Sequence, residues 1–166
     1  MSFSNGLAIA ILARLECTAK RESRVVNSIV YAALSNCTVT ESNKLMATIY
    51  IEELSALCGS KTSSLYTRVK NACNREYSGA TVYDWCYNDN DEKLRPIICN
   101  ALYHEGTCTI EFDMQVQELC QTVYKELKES GAVGDENAVE DSCKDIEKLF
   151  GSTEGYFFRC LREALE

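Results

Sequence analysis

The chain has 166 residues, 46% of them hydrophobic and 25% charged, which is enough for one compact domain with a core. No apolar run reaches the roughly eighteen residues that a membrane-spanning helix needs. One histidine, with no phosphate-loop, dinucleotide or nucleophile-elbow motif, excludes most enzyme designs. We therefore expect a protein that is not an enzyme and carries no cofactor.

Charge is divided unevenly between the two halves of the chain. Residues 1–80 carry nine Lys or Arg and six Asp or Glu, a net +3, whereas residues 81–166 carry eight and nineteen, a net −11. Phosphates attract a basic surface and repel an acidic one. Any contact with DNA should therefore come from the first half, and the second half should face solvent or a protein partner.

Ten cysteines are spread along the chain, and no two are closer than nine residues. A structural zinc site usually draws its ligands in close pairs, so free thiols are favoured over disulfides, and disulfides over a metal site. Many of the cysteines occupy apolar positions of predicted elements: Cys58, Cys73, Cys108, Cys120, Cys143 and Cys160. We expect buried free thiols in a reducing cytoplasm.

The first predicted elements are two helices and a short strand. Residues 5–17 form one candidate helix and residues 22–35 a second. The apolar residues of the second helix repeat at helical spacing on one face: Val26, Ile29, Val30, Ala33 and Leu34. A polar, turn-rich stretch follows, and β-branched alternation predicts a strand at residues 48–51.

Two helices joined by a tight turn come next. Residues 52–58 form the first, with acidic residues in its first turn, where the helix dipole favours them, and Gly59 ends it. Ser60 or Thr62 caps the second helix, which runs to about Glu76. The buried face of this second helix is predicted to hold Leu65, Val69, Ala72 and Cys73.

Strands are predicted beyond that helix pair. Tyr83, Trp85 and Tyr87 alternate with other residues, and this stripe is either a stacking platform for single-stranded nucleic acid or, more commonly, part of a core or interface. Residues 97–103 form a second strand, followed by a turn at Glu105-Gly106. A third strand buries one face, which consists of Cys108, Ile110 and Phe112.

The remaining chain is predicted to be helical, over residues 116–127, 138–150 and 152–165. Acidic residues line the surface of the last two helices: Glu140, Asp141, Asp145, Glu147 and Glu154. This acidity argues against DNA and favours packing on the first unit or on another subunit.

Helix, turn, helix and β-hairpin is the element order of a winged helix, in which the second helix presents its outer residues to the major groove. Four cations of that helix are expected to contact phosphates: Lys61, Arg68, Lys70 and Arg75. Four short polar residues are expected to face base edges: Ser63, Ser64, Thr67 and Asn71. The alternative is a solvated helix face on an ordinary α+β core.

Neither of two further clusters predicts a site. His104 sits at a strand end beside a turn, a poor place for a catalytic pair. Asp89, Asp91 and Glu92 lack the glycine and the later glutamate of an EF-hand loop, so a solvated turn is favoured. We expect no catalytic residue and no metal.

Two motifs carry a family resemblance. Glu53-Leu54, Leu57 and Gly59 fit the pattern ELxxLxG. The second helix fits SxxYxRLKxA through Ser63, Tyr66, Arg68-Val69-Lys70 and Ala72, and the last strand region supplies Tyr103, Gly106 and Phe112. Over roughly residues 22–127 the chain resembles the winged-helix replication initiator (Rep) proteins of plasmids.

The resemblance implies an α+β winged helix-turn-helix domain over residues 1–127, with additional flanking helices at both ends. It implies initiation of plasmid or phage DNA replication through binding of double-stranded origin DNA and homodimerisation. Residues 128–166 are too few for the second winged helix that family members usually carry, so we expect an acidic helical extension there, or the start of a truncated second domain. The alternative function is an acidic protein–protein interaction module, such as a phage-encoded inhibitor.

Overall fold

The computed structural model describes residues 16–17, 24–88, 93–116 and 129. The predicted helices after residue 116, most of the predicted helix at 5–17 and the domain boundary after residue 127 lie outside the described residues. Glu16–Cys17 forms strand β1, so the predicted helix is wrong at its last two residues. Among the helices of the described ranges, none combines the length and the apolar character of a membrane span.

Helix α1, Arg24–Asn36, is buried along almost its whole length. Every residue from Val25 to Ser35 is buried, so the prediction of a single apolar face is too narrow. The buried hydroxyls of Ser28 and Ser35 donate to the carbonyls of the residues four positions earlier, which satisfies them inside the core. α1 is therefore the central helix of the described fold.

A four-stranded antiparallel sheet, with strand order β2-β3-β7-β6, packs against the helices. Its strands are Thr38–Val39 (β2), Leu45–Tyr50 (β3), Ile98–His104 (β6) and Thr107–Phe112 (β7). Strand alternation places one face of β7 in the core and confirms the predicted buried residues Cys108, Ile110 and Phe112. β2 lies in the stretch that was predicted to be a polar turn.

Two helices follow β3 and pack beside α1. α2 spans Ile51–Cys58 and ends at Gly59, whose φ of 68° lies in the left-handed region that glycine tolerates best. α3 spans Thr62–Ala72 and buries Leu65, Val69 and Ala72, as predicted. α1 and α2 contact β3, and α3 contacts both of these helices.

The ends of α3 differ from the prediction. Lys61 is the N-cap residue and forms no side-chain capping hydrogen bond, so neither Ser60 nor Thr62 caps the helix as predicted. The helix ends at Ala72 rather than near Glu76. Beyond it, the Asn74 N–H donates to Asn71 O, and Asn74 Oδ1 accepts the Glu76 N–H at 3.0 Å. These local bonds replace the helical ladder.

A second antiparallel sheet contains β1, β4 (Trp85–Asn88) and β5 (Leu94–Pro96), with β4 in the middle. Tyr83 lies in a 3-10 turn at Val82–Asp84 and not in a strand, so the predicted alternation begins two residues too early. Trp85 is 3% exposed and belongs to the core, which removes it from any stacking platform. The Tyr87 side chain is outside the described residues.

Six of the described cysteines are free thiols: five are buried and one, Cys99, is exposed. The prediction of buried free thiols is confirmed for Cys58, Cys73 and Cys108. Its other three residues, Cys120, Cys143 and Cys160, lie outside the described ranges. In the part of the chain that the structure describes, no cluster of three His, Cys, Asp or Glu side chains is placed to hold a metal ion.

Candidate nucleic-acid interface

α3 turns one face to the core and the other to solvent. Because Leu65 and Val69 are buried on one side, the polar residues between them point outward. Six of the eight predicted DNA-contacting residues are exposed on this outer face or at its N-cap: Lys61, Ser63, Ser64, Thr67, Arg68 and Lys70. Asn71 is half-buried near the end of the helix. We call these seven residues the α3 face.

The α3 face is positively charged. The helix contains two cations, Arg68 and Lys70, and no acidic residue, and Lys61 adds a third cation at its N-cap. Within the described ranges, none of the three lies within ion-pair distance of a carboxylate. Their charges are therefore directed to solvent, where a phosphate backbone can reach them.

One hydroxyl of the α3 face already has a partner. Ser64 Oγ donates to the Lys61 carbonyl at 2.8 Å, a bond within the first helical turn. Its lone pairs stay available, so in this rotamer Ser64 can accept a hydrogen bond from a base amino group but cannot donate one. Ser63 and Thr67 are exposed on the same outer side.

Arg75 does not belong to the α3 face, which corrects the prediction that placed it on the helix. The helix ends three residues earlier, and the Arg75 guanidinium lies over the Tyr83 ring, 4.0 Å from its centroid. One guanidinium nitrogen donates to the Cys99 carbonyl of β6. Arg75 therefore ties the segment after α3 to the edge of the sheet.

Tyr83 extends this tie. Its hydroxyl accepts the Ala101 N–H at 2.9 Å and contacts the Ala101 carbonyl at 3.3 Å. These backbone groups lie on β6, the outermost strand of its sheet. A strand edge offers unpaired N–H and C=O groups, and here Tyr83 and Arg75 occupy them at Ala101 and Cys99.

The β6–β7 hairpin has the position of a wing, and its tip rests against the helix pair. Glu105 and Gly106 form the turn with φ of 46° and 79°, as a tight two-residue hairpin requires. The Gly106 carbonyl accepts the N–H of Ile51, the first residue of α2, at 3.0 Å. A Cβ placed on Gly106 would lie 3.5 Å from the Tyr66 ring of α3, so the tip and the helix are neighbours.

The chemistry of this tip differs from that of the α3 face. The side chains of His104 and Glu105 are 78% and 84% exposed, and His104 Nε2 lies 3.8 Å from Glu105 Oε2. Two more carboxylates, Glu52 and Glu53, are exposed in the first turn of α2. Partial burial, with repulsion from Glu52, raises the pKa of the Glu53 carboxyl. Both segments are poor phosphate ligands, which leaves α3 as the basic element of the helix pair.

The sequence comparison agrees with this architecture. Residues 8–129 match the family described as "Initiator Replication protein, WH1". No curated protein and no solved structure matches the chain. Since the match spans more than half of the sequence, the chain belongs to this family of winged-helix replication initiator proteins, and the predicted family and α+β winged-helix fold are confirmed.

Proposed function

We propose that this initiator-family chain binds double-stranded origin DNA through the α3 face. The observation that carries the proposal is the division of α3 into a buried apolar side and an exposed side with cations and no acid. In helix-turn-helix proteins the second helix lies in the major groove. α3 follows α2 across the Gly59 turn and is that second helix.

Two kinds of contact are expected from the α3 face. Lys61, Arg68 and Lys70 would neutralise phosphates and release counterions, which gives affinity without sequence information. Ser63, Ser64, Thr67 and Asn71 would face base edges, and a side-chain amide such as that of Asn71 can pair with adenine in the major groove. We assign Arg75 to the tie with β6 instead of to a phosphate.

Replication of a plasmid or phage is the process that we propose this binding serves, and we propose that the chain acts as a homodimer in the cytoplasm. Membership of the initiator family supports the first point. The free thiols of the described residues support a reducing compartment. We also propose that the chain is not an enzyme, because the side chain of its one histidine is exposed at the hairpin tip, whereas five of the described thiols are buried.

A second candidate rests on the net charge of −11 over residues 81–166. A segment of that net charge suits a basic protein partner better than a nucleic acid. Under this proposal the chain is a protein-interaction module such as a phage-encoded inhibitor. Size-exclusion chromatography with light scattering separates the two candidates, because the first forms a complex with duplex DNA and the second does not.

The preference of the chain for origin DNA over other DNA sequences tests the main proposal. Fluorescence anisotropy should give tighter binding to a duplex carrying the repeats of the replicon's own origin than to a shuffled duplex. A Thr67→Ala/Asn71→Ala variant should lose this preference, since a good bidentate base contact contributes about 1–3 kcal/mol of discrimination. Its affinity for the shuffled duplex should stay unchanged. An equal loss on both duplexes would contradict base contact by these residues.

A further inference from the structure

Two thiols meet in the core at the junction between α3 and the hairpin. Cys73 directly follows α3 and Cys108 lies in β7, 35 residues later, yet their sulfur atoms are 3.3 Å apart. Their exposed fractions are 8% and 1%. The contact is a hydrogen bond between two thiols, and it joins the end of α3 to β7, the strand between β3 and β6.

This pair differs from the other buried thiols. The hydrogen bond from Cys108 lowers the pKa of Cys73, and the same bond, together with burial, raises the pKa of Cys108. Of the two thiols, Cys73 is therefore the one that loses its proton more readily. By contrast, burial raises the pKa of Cys37 to about 12, and its sulfur contacts a backbone carbonyl.

We propose that Cys73 and Cys108 form an oxidation site, at which a peroxide converts the two thiols into a disulfide between the end of α3 and β7. This site is independent of the proposed DNA binding. The oxidant is a small molecule, because Cys73 is only 8% exposed. The bond length of about 2.05 Å requires the two sulfur atoms to approach each other and joins the helix end to the strand covalently.

The chemistry proceeds in two balanced steps. The Cys73 thiolate attacks one peroxide oxygen, the O–O bond breaks, and a sulfenic acid forms while hydroxide leaves and takes up a proton as water. The Cys108 sulfur then attacks the Cys73 sulfur, the S–O bond breaks, and a second water leaves with the thiol proton. Two thiols lose two electrons, and one hydrogen peroxide is reduced to two waters.

Cys99 provides the natural comparison. It is exposed, but partial burial and the nearby Asp113 and Glu111 carboxylates raise its pKa. Within the described residues its sulfur has no thiol neighbour comparable to the Cys73–Cys108 contact. Exposure alone therefore favours Cys99 as the oxidised residue, whereas geometry favours the buried pair as the place where a disulfide forms.

Peptide mapping shows whether oxidation occurs at Cys99 or joins Cys73 to Cys108. The reduced full chain is treated with hydrogen peroxide, alkylated, and digested with trypsin and a glutamate-specific protease. Cys73 then falls in the peptide Asn71–Arg75 and Cys108 in Gly106–Glu111, separate from Cys99. We expect these two peptides to be cross-linked, two hydrogen atoms lighter than their sum, with a higher yield from the native chain than from the chain in denaturant.

Two variants serve as controls. Cys99→Ser should retain the cross-link, and Cys108→Ala should abolish it and leave Cys73 as a sulfenic acid or a higher oxide. If Cys108→Ala does not fold, the maps of the wild type and of Cys99→Ser decide alone. The proposal is overturned if the native chain leaves either thiol unpaired, pairs it with another cysteine, or gives the same yield as the denatured chain.

Discussion

α3 and the tip of the β6–β7 hairpin are neighbours, yet they expose side chains of different charge to solvent. α3 exposes Arg68 and Lys70 without any acid, whereas the tip exposes His104 and Glu105. At the tip, the Gly106 carbonyl accepts a hydrogen bond from the Ile51 N–H, and the Tyr66 ring is a neighbour of Gly106. The topology thus supplies a wing; we propose that α3 contacts DNA and that the hairpin stabilises the position of the helix pair.

Charge reversal on α3 has the largest expected effect. Arg68→Glu/Lys70→Glu should weaken duplex binding on the order of 100-fold at low salt, because each charge-assisted hydrogen bond contributes about 1.5–3 kcal/mol. The matched control is Lys44→Glu/Lys93→Glu, which makes the same change in net charge at exposed positions outside the helix pair. Equal losses for both variants in anisotropy titrations would contradict a specific role of the α3 cations in DNA binding.

Gly106→Ala tests how strongly the turn at the hairpin tip depends on its glycine. The φ of 79° at this position strains any residue with a Cβ, so the free energy of unfolding should fall by about 1–2 kcal/mol. A Cβ would meet its neighbours at ordinary contact distances of 3.5 and 3.7 Å, so no clash adds to this strain. Urea denaturation measures the change. A chain as stable as the wild type would show that the tip turn is not held in this conformation.

Tyr83→Phe tests how the β6 edge is held. Removal of the hydroxyl leaves the Ala101 N–H without its 2.9 Å partner, and we expect a loss of about 1 kcal/mol in unfolding free energy. The ring beneath Arg75 is retained, so DNA affinity should not change. Thermal unfolding measures the stability of the variant, and anisotropy titrations of the same protein preparation measure its DNA affinity. A loss of affinity without a loss of stability would assign Tyr83 to the DNA-binding surface.

Glu105→Lys has the smallest expected effect. Because the tip adjoins Tyr66 on α3, replacing its exposed acid with a cation should tighten non-specific duplex binding by roughly threefold at low salt. Debye screening should remove most of this gain at about 0.5 M salt. A gain that persists at high salt would show a direct contact and would make the hairpin a DNA-binding wing.

Local signals in the sequence sufficed for the helix pair. Apolar spacing located the buried side of α3, and the glycine at position 59 located the turn before it. The end of α3 could not be predicted in this way, because the side chain of Asn74 competes for backbone donors there. As a result, Arg75 lies beyond the end of the helix that was predicted to carry it.

Contacts between distant segments were beyond reach of pattern analysis. The Cys73–Cys108 pair and the Ile51–Gly106 hydrogen bond each join residues far apart in the chain, and no periodicity encodes either. The two-residue strand β2 and the three-residue strand β5 are too short to show alternation. Pairing with a neighbouring strand creates them, so only the assembled sheet reveals them.

The salt dependence of DNA binding is the most direct measure of phosphate contact by the α3 face. Each phosphate contact contributes about 0.9 to the slope of log K against log salt concentration. Arg68→Gln should reduce the wild-type slope by about one contact, whereas Lys44→Gln, at an exposed residue before β3, should leave it unchanged. Equal slopes for Arg68→Gln and the wild type would contradict phosphate contact by the α3 face.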